Sequence, residues 1–420
     1  MARILALTSR LPYPPREGHQ LRSWHLLRAL AAVHEVTLLS VVRDDDAPAE
    51  CGPLRDMLHR LELFPLRAQR SRVALGAALL AATLGPRPFV AHKYASGRMR
   101  ARIAQLAQES DLIHVDMLPL LANVPGATGV PLVLNAHNVE HQLLLQRAAS
   151  EPRRAQRAFL RMQVAKLARF ERSACAAATH VLACSADDAA QLSALCPSAA
   201  VSVVPNGVDV ERNRPGDTQP AHPAQLIFVG QMGWFPNREG VAWFLAEVLP
   251  RILAARPDTR FVLVGKSQGV QVPAALRANV QLAGFVADLS ESIRAAAVYV
   301  VPLRSGSGTR LKVLEAMAFG KAIVTTRIGA EGIDLADGRE ALFADTAEQF
   351  SAAVLELLDD PRRAWLLGLA ARKKAQAHYD WNTIGRELVA LYERILDVSA
   401  QPRASDTAVL RPARGAPLPS

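Results

Sequence analysis

Ser307, Gly308, Thr309, Arg310, Lys312 and Glu315 stand close together in the stretch SGSGTRLKVLEA (305–316), and their types suit one task, holding an anion. Gly306 and Gly308 let the backbone pass close to a ligand, because glycine has no Cβ and tolerates positive φ. Leu311, Leu314, Met317 and Ala318 recur at steps of three and four, which predicts a helix that Thr309 can cap. The free N–H groups and the dipole at such a helix start draw negative charge. Arg310 and Lys312 add two cations to the first turn, where a purely structural helix would favour acids. The anion that fits best is phosphate, and Glu315, about one turn on, reaches past it.

These residues need a strand before them and a strand after. The apolar run Val298–Val301 supplies the first and Ala322–Thr326 the second, with Gly320 ending the helix between. Strand, loop, helix, strand implies a parallel sheet. The same order opens the chain: Arg3–Thr8, the loop LPYPPREGHQ, a helix over about Leu21 to Val33, then Glu35–Val42. That first loop, carrying Gly18 with Arg22 beyond it, falls at the carboxyl edge of its sheet, where doubly wound folds bind ligands. Asp111–Val115 and Pro131–Asn135 are further strands, and the second runs into NAHNVE (135–140). His137 sits there among Asn135, Asn138 and Glu140 at a sheet edge, which points to a site role over a merely structural one. Strands at His180–Ser185 and Val201–Val204 close the first sheet.

Residues 51–110 read as mostly helical and basic, and 141–178 as helical with many arginines. Arg153, Arg154, Arg157, Arg161, Lys166, Arg169 and Arg172 form a solvated face, with contact between that face, or Leu66–Leu84, and an anionic membrane as the functional alternative. Residues 211–225 hold three prolines and little apolar material and read as a linker, preceded by Asn206-Gly207 as a hinge turn that can also line a cleft. Leu226–Gly230, Phe261–Gly265 and Val280–Gly284 then start a second strand series. Trp234 reads as packing, with Asn237 shaping the pocket. A last helix covers about Trp381–Asp397, and the Pro, Arg, Ala and Ser rich tail after it is expected to be disordered.

At 420 residues the chain has ample core for two or three domains. Its four cysteines form no CxxC pair, which argues against a zinc site and a secreted disulfide scaffold and suits a reducing cytosol. There is no apolar run of about 18 residues or more and no signal-peptide core, so no spanning helix is expected. A formal charge of +10 permits anionic lipid, nucleic acid or nucleotide as partner and selects none. Basic and aromatic residues are not interleaved, which speaks against nucleic acid.

VVPNGVDVERN (203–213), LIFVGQMGWFPNREGVAWFLAEVLP (226–250), FVLVGKS (261–267), LEAMAFGKAIVTT and GAEGI together resemble the retaining, nucleotide-sugar-dependent glycosyltransferases of family 4. PPREGHQLRSWHLLRAL, NAHNVEH and the closing DDPRRAWLLGLAARKKAQAHYDWNTIGRELVALYERIL fit the same family, and within it the chain is most similar to sugar transferases of bacterial exopolysaccharide clusters. The resemblance implies an α/β GT-B fold: two facing Rossmann-like, doubly wound domains with a cleft between them. Residues 1–205 would form the acceptor domain and 206–380 the donor domain. The helix over about 381–398 would pack back on the first, and 400–420 would form the tail.

The resemblance also implies roles. Gly18 would approach the donor diphosphate, with Arg22 one turn on; His137 would stand near the reacting sugar; Arg238, Arg310 and Lys312 would neutralise the leaving group; and Glu315 would bond the nucleotide ribose. Ser307, Gly308 and Thr309 complete the donor-binding set, but Ser307 stands where the family carries a glutamate that contacts the donor sugar, which leaves that sugar open. The lysine expected a few residues after Arg238 is also absent, and Lys312 would carry its charge. The implied reaction moves a sugar from a nucleoside-diphosphate sugar to a glycan or lipid-linked acceptor with retention. It needs no metal or other cofactor, and its place is the cytoplasm, at the inner face of the plasma membrane if the membrane contact holds. A nucleotide-sugar epimerase on the same fold and a non-catalytic nucleotide-sugar-binding protein are the alternatives. The first would need a carboxylate pair near the anomeric carbon, and none is evident.

Overall fold

The computed structural model describes residues 1–400 except Arg16, Ala47, Ala127, 217–221, Ala287 and Ser307. The expectations for Ser307 and for the tail beyond residue 400 therefore lie outside the described residues. Seven parallel strands make the first sheet: β1 (Arg3–Thr8), β2 (Glu35–Val42), β3 (Arg60–Pro65), β4 (Leu112–Asp116), β5 (Leu132–Asn135), β6 (His180–Ala183) and β7 (Val201–Val203). Their order is β3-β2-β1-β4-β5-β6-β7. Six more make the second: β8 (His222–Val229), β9 (Arg260–Val264), β10 (Val280–Gly284), β11 (Ala296–Val301), β12 (Ala322–Thr325) and β13 (Leu342–Phe343), in the order β10-β9-β8-β11-β12-β13. Helices cover both faces of each sheet, so the inner strands are continuous apolar runs such as VYVV and LIFV.

In both sheets the strand order reverses beside the first strand, between β1 and β4 and between β8 and β11. A crevice opens at such a reversal, outside the carboxyl ends of the strands. The chain puts its glycine-bearing segments there: Gly18 after β1, and Gly306 and Gly308 after β11. Gly306 and Gly308 have φ of 110° and 81°, a backbone that side chains with a Cβ resist. Gly240, in the helix Phe235–Trp243, lies so near the Pro302 carbonyl that a Cβ would sit 2.4 Å from its oxygen, which seats the start of the same loop.

The helix Trp381–Ala400 leaves the second sheet and packs against the helix Gly18–Ala31. Trp381, Ile384, Leu388 and Tyr392 join the core beneath β1 and β2, and the Tyr392 hydroxyl meets His114 Nδ1 at 2.5 Å. The ring of Trp381 also stacks on His25, with centroids 4.7 Å apart.

Several elements differ from expectation. Arg60–Pro65 is a strand within the stretch expected to be helical; its RLELFP alternation pairs with β2 along its whole length. The 141–178 helix is two, Glu140–Ser150 and Arg154–Ala177, divided at Pro152, which cannot donate to a helical carbonyl. The segment expected as a linker already enters β8 at His222. Lys166 is not on a solvated face. It is buried, and its Nζ donates to the carbonyls of Ala82, Thr83 and Gly85 at 2.6, 3.1 and 2.7 Å, closing the C-terminus of the helix Arg72–Leu84. Replacing it by methionine takes this donor from all three carbonyls and leaves only Gln163 Nε2, at 3.1 Å, on that of Ala82. Lys166→Met is expected to cost about 2 kcal/mol and to lower Tm by several degrees, measured by calorimetry. An unchanged Tm would show that water serves those carbonyls as well.

Candidate active site between the two sheets

Asp116 ends β4, Asn135 ends β5, and His137 follows two residues later. The register of β4 with β5 pairs Asp116 with Asn135. The Asp116 carboxylate accepts hydrogen bonds from Asn135 Nδ2 and His137 Nε2, both at 2.6 Å, and from the Ser23 hydroxyl. Burial alone would push the Asp116 carboxyl up, but the charge and hydrogen bond of His137, with His114 and Ser23, hold it well below the usual range. A buried anion thus anchors His137, which is 9% exposed.

Arg22 completes this cluster from the helix Gly18–Ala31. Its Nε and Nη2 donate to Asn135 Oδ1 at 3.2 and 2.8 Å, and its Nη1 to the Pro205 carbonyl and Asn206 Oδ1 at 3.0 and 3.3 Å. At 1% exposure it faces protein rather than a ligand, and it braces Asn135 against the crossing to the second sheet. The donor contact expected of Arg22 is therefore not where the structure places this side chain.

On the other side, the helix Leu311–Ala318 starts behind the glycine loop. Arg310, not Thr309, holds the N-cap position, and it makes no side-chain cap bond. The Thr309 hydroxyl is buried without a partner, and a Cβ on Gly332 would come within 3.2 Å of it. Leu311 is half-buried instead of fully in the core, and its Cδ1 lies 2.9 Å from where a Cβ on Gly18 would stand. Gly308 approaches Asn138 in the same way, at 2.8 Å from Oδ1. The two halves touch through these glycines, so neither position has room for a larger side chain.

A cavity of about 300 Å³ lies at that meeting. Gly18, His19 and His137 line it from the first half, and Gly308, Thr309 and Leu311 from the second. Arg43, Met117, Asn138 and Asn206 also reach it. A larger hollow, about 590 Å³, opens instead at the amino ends of β11 and β12, away from these groups.

Arg310, Lys312 and Glu315 form a second group along the helix. The Arg310 guanidinium lies over Gly306, its Nη2 bonds Glu331 Oε2 at 3.3 Å, and burial, partly offset by Glu331, lowers its pKa. Lys312 Nζ donates to Asn237 Oδ1 at 2.7 Å and sits 4.1 Å from the Phe228 ring centroid. Burial first, then Arg310, pushes Lys312 down to about 7, against the pull of Glu315. Burial pushes Glu315 up to about 7, against Lys312 and Arg212. Such groups change charge at small cost when a charged ligand arrives. Arg238 stands apart: it is exposed, with Nη1 3.4 Å from the Met232 carbonyl and its guanidinium 5.9 Å from the Phe235 ring centroid. Trp234 is 54% exposed and is not core packing.

Sequence reasoning did not assign Asp116, His19 or Arg43 to the site. The available signal was an aspartate closing an otherwise apolar strand, LIHVD, at the carboxyl edge of a parallel sheet.

The family model described as "Glycosyltransferase Family 4" matches residues 17–212, and that described as "Glycosyl transferases group 1" matches residues 223–360. The chain belongs to the family-4 glycosyltransferases. In this family-4 chain the cavity lies between the two matched regions, with His137 in one and Gly308 in the other. A phosphatidyl-myo-inositol mannosyltransferase of Mycolicibacterium smegmatis is 29% identical over 217 residues, 49% of this chain and 55% of that protein. The chain spans about half the length of the curated relatives it matches. Among solved structures, sucrose-phosphate synthase from Thermosynechococcus elongatus superposes with a TM-score of 0.64 at 20% identity, covering 94% of this chain and 100% of that one. Anabaena HepE in complex with UDP-glucose gives 0.62 at 15%, covering 94% and 100%. At these identities the superpositions speak for the two-domain fold.

Proposed function

We propose that the chain transfers a sugar from a nucleoside-diphosphate sugar to a glycan or lipid-linked acceptor, with retention of configuration, in exopolysaccharide or other surface polysaccharide synthesis. One observation carries the reading. The carboxyl edges of two parallel sheets face each other across one cavity, with Gly308, Thr309 and the helix start at Leu311 on one side and His137, held by Asp116, on the other; Arg310 and Lys312 flank that helix start. Breaking the bond between the sugar C1 and the diphosphate oxygen leaves positive charge on the sugar and negative charge on the diphosphate. In this reading Arg310, Lys312 and the N–H groups ahead of Leu311 take up the negative charge as fixed donors. In this reading these cations serve in place of a metal. His137, held by Asp116, faces the sugar and the incoming acceptor hydroxyl. Glu315 receives the ribose hydroxyls.

The names of relatives suggest donors to try first: mannosyl transfer for the mycobacterial proteins, some of them named as GDP-mannose-dependent, and UDP-glucose for the HepE complex. A cytoplasmic, membrane-peripheral site of action fits one surface. The helix Arg72–Leu84 holds no acid and exposes Val73, Leu80 and Leu84, a face suited to an anionic bilayer. Among the described residues, no helix is long and apolar enough to cross a membrane. Thermal shifts with GDP, UDP and their sugars, followed by nucleoside diphosphate release with and without acceptor, test the reading. A stabilising donor that releases nucleoside diphosphate only with acceptor supports transfer. A sugar epimerised without acceptor would favour an epimerase, and binding without turnover a non-catalytic protein.

Lys312 provides a pH signature. A diphosphate beside it raises its pKa from about 7. Binding above neutral pH then takes up a proton, and affinity falls as pH rises through and beyond that value. Titration calorimetry in buffers of unlike ionisation enthalpy measures the uptake. Its absence at pH 8 would remove Lys312 from the diphosphate site.

A further inference from the structure

Arg43 follows β2 at the carboxyl edge of the first sheet and lines the cavity beside His19 and His137. Its Nη2 donates to the Tyr94 hydroxyl at 2.7 Å, which fixes the guanidinium, while its Nε is buried with no partner. A buried donor left unpaired is costly unless a ligand takes it up. Carboxylates are near but already paired: Arg10 holds Glu17, Asp45 and Asp46 at 2.9, 2.6 and 2.6 Å, and the second oxygen of Glu17 lies 3.5 Å from His19 Nδ1. Lys93, on the helix that carries Tyr94, adds a second cation. It is half-buried, 5.6 Å from the Tyr94 ring centroid, and among the described residues it has no carboxylate in ion-pair reach. Burial and the charge of Arg43 both push its pKa down. His19 Nε2 is also buried without a partner, and burial, then His137, pushes this ring down to about 4, so it is neutral near pH 7 and can donate a hydrogen bond.

Among the described residues, then, Arg43 has no carboxylate partner and lines the cavity together with the neutral ring of His19, and Lys93 adds positive charge near Arg43 without itself lining the cavity. We propose that Arg43 and His19, with the charge of Lys93 nearby, form a subsite for a phosphoryl group carried by the acceptor. The proposal rests on the transfer reading and adds the acceptor's chemical class. A phosphoryl group suits the subsite better than a carboxylate, since its oxygens can accept from Arg43 Nε and His19 Nε2 together while its second charge answers Lys93. The phosphate would hold the acceptor so that its hydroxyl lies toward His137.

The test is titration calorimetry on the full chain saturated with GDP or UDP, so that the donor side is filled. The probes are sn-glycerol 3-phosphate, farnesyl phosphate in detergent micelles, and glucuronate. Both phosphates are expected to bind at least about tenfold more tightly than glucuronate. Arg43→Gln and Lys93→Met should each weaken them about tenfold, with nucleotide affinity unchanged. Lys93→Met leaves the Arg43–Tyr94 bond in place, so its loss of affinity at an unchanged Tm reads charge and not folding. Tighter binding of farnesyl phosphate than of glycerol phosphate identifies a lipid-borne group, and equal or weaker binding a water-soluble one. Phosphate affinity unmoved by both substitutions together, or glucuronate bound as tightly as phosphate, overturns the proposal. Nucleotide binding without phosphate binding sinks this inference alone, whereas failure of every nucleoside diphosphate to bind sinks the donor reading with it.

Discussion

Arg310→Met is expected to weaken nucleoside diphosphate binding by roughly 30- to 150-fold and to slow turnover at least as much, which corresponds to about 2–3 kcal/mol. Arg310 is 7% exposed, its Nε lies 3.3 Å from the Ile328 carbonyl, and its guanidinium covers Gly306. The side chain is thus ordered before any ligand arrives, and little freedom is lost on binding. Removing it leaves Glu331 without this partner, but that carboxylate is 41% exposed and water can serve it, so Tm should move little. Arg310→Lys should recover only part of the affinity, because an ammonium cannot reproduce the planar fork. Calorimetric titration with GDP and UDP measures the first effect and nucleoside diphosphate release the second. Undiminished affinity in Arg310→Met would detach the glycine loop from diphosphate binding.

Asp116→Asn is the second large effect, and it strikes both stability and turnover. The wild-type carboxylate accepts from Asn135, His137 and Ser23. An amide of the same shape offers one acceptor oxygen and turns an NH₂ group toward other donors. The cost should be roughly 2–4 kcal/mol in urea unfolding at neutral pH. Because the folded state holds the Asp116 pKa below its unfolded value, its contribution is present above about pH 4 and is lost as pH falls below that. The gap between wild type and variant should therefore narrow in acid. Turnover should fall by about a hundredfold, since His137 loses the anion that orients it. Full turnover in a folded Asp116→Asn protein would show that His137 needs no such anchor.

Much of this architecture was legible because parallel sheets leave a strong signature. Buried strands such as Ala296–Val301 and Arg260–Val264 are apolar on both faces, and a sequence shows that without help. The edge strand Arg60–Pro65 was not legible, since a half-exposed RLELFP alternation in an arginine-rich surround lacks that signature. The glycine loop, Arg310, Lys312 and His137 stood out as candidates by type and spacing. Arg22 and Lys166 were misplaced for one shared reason: a cation in sequence looks solvated or ligand-bound, and only the fold shows which carbonyls and amides surround it. Arg22 meets Asn135 across 113 residues, and Lys166 meets the end of a helix more than 80 residues away.

By itself, then, the order of residues determined the two doubly wound halves, the glycine-bearing loops at the carboxyl edges of their sheets, and a helix start at Leu311 flanked by Arg310 and Lys312. Those are local matters, set by apolar periodicity, by glycine's freedom and by the direction of a helix dipole. Tertiary structure alone decided that Asp116, and not a neighbouring carboxylate, is the buried anchor of His137, that Gly18 and Gly308 are points of contact between the halves, and that Arg43 faces the cavity with an unpaired donor. Charge pairing depends on which groups burial brings within about 4 Å of one another, and no spacing along the chain encodes that distance.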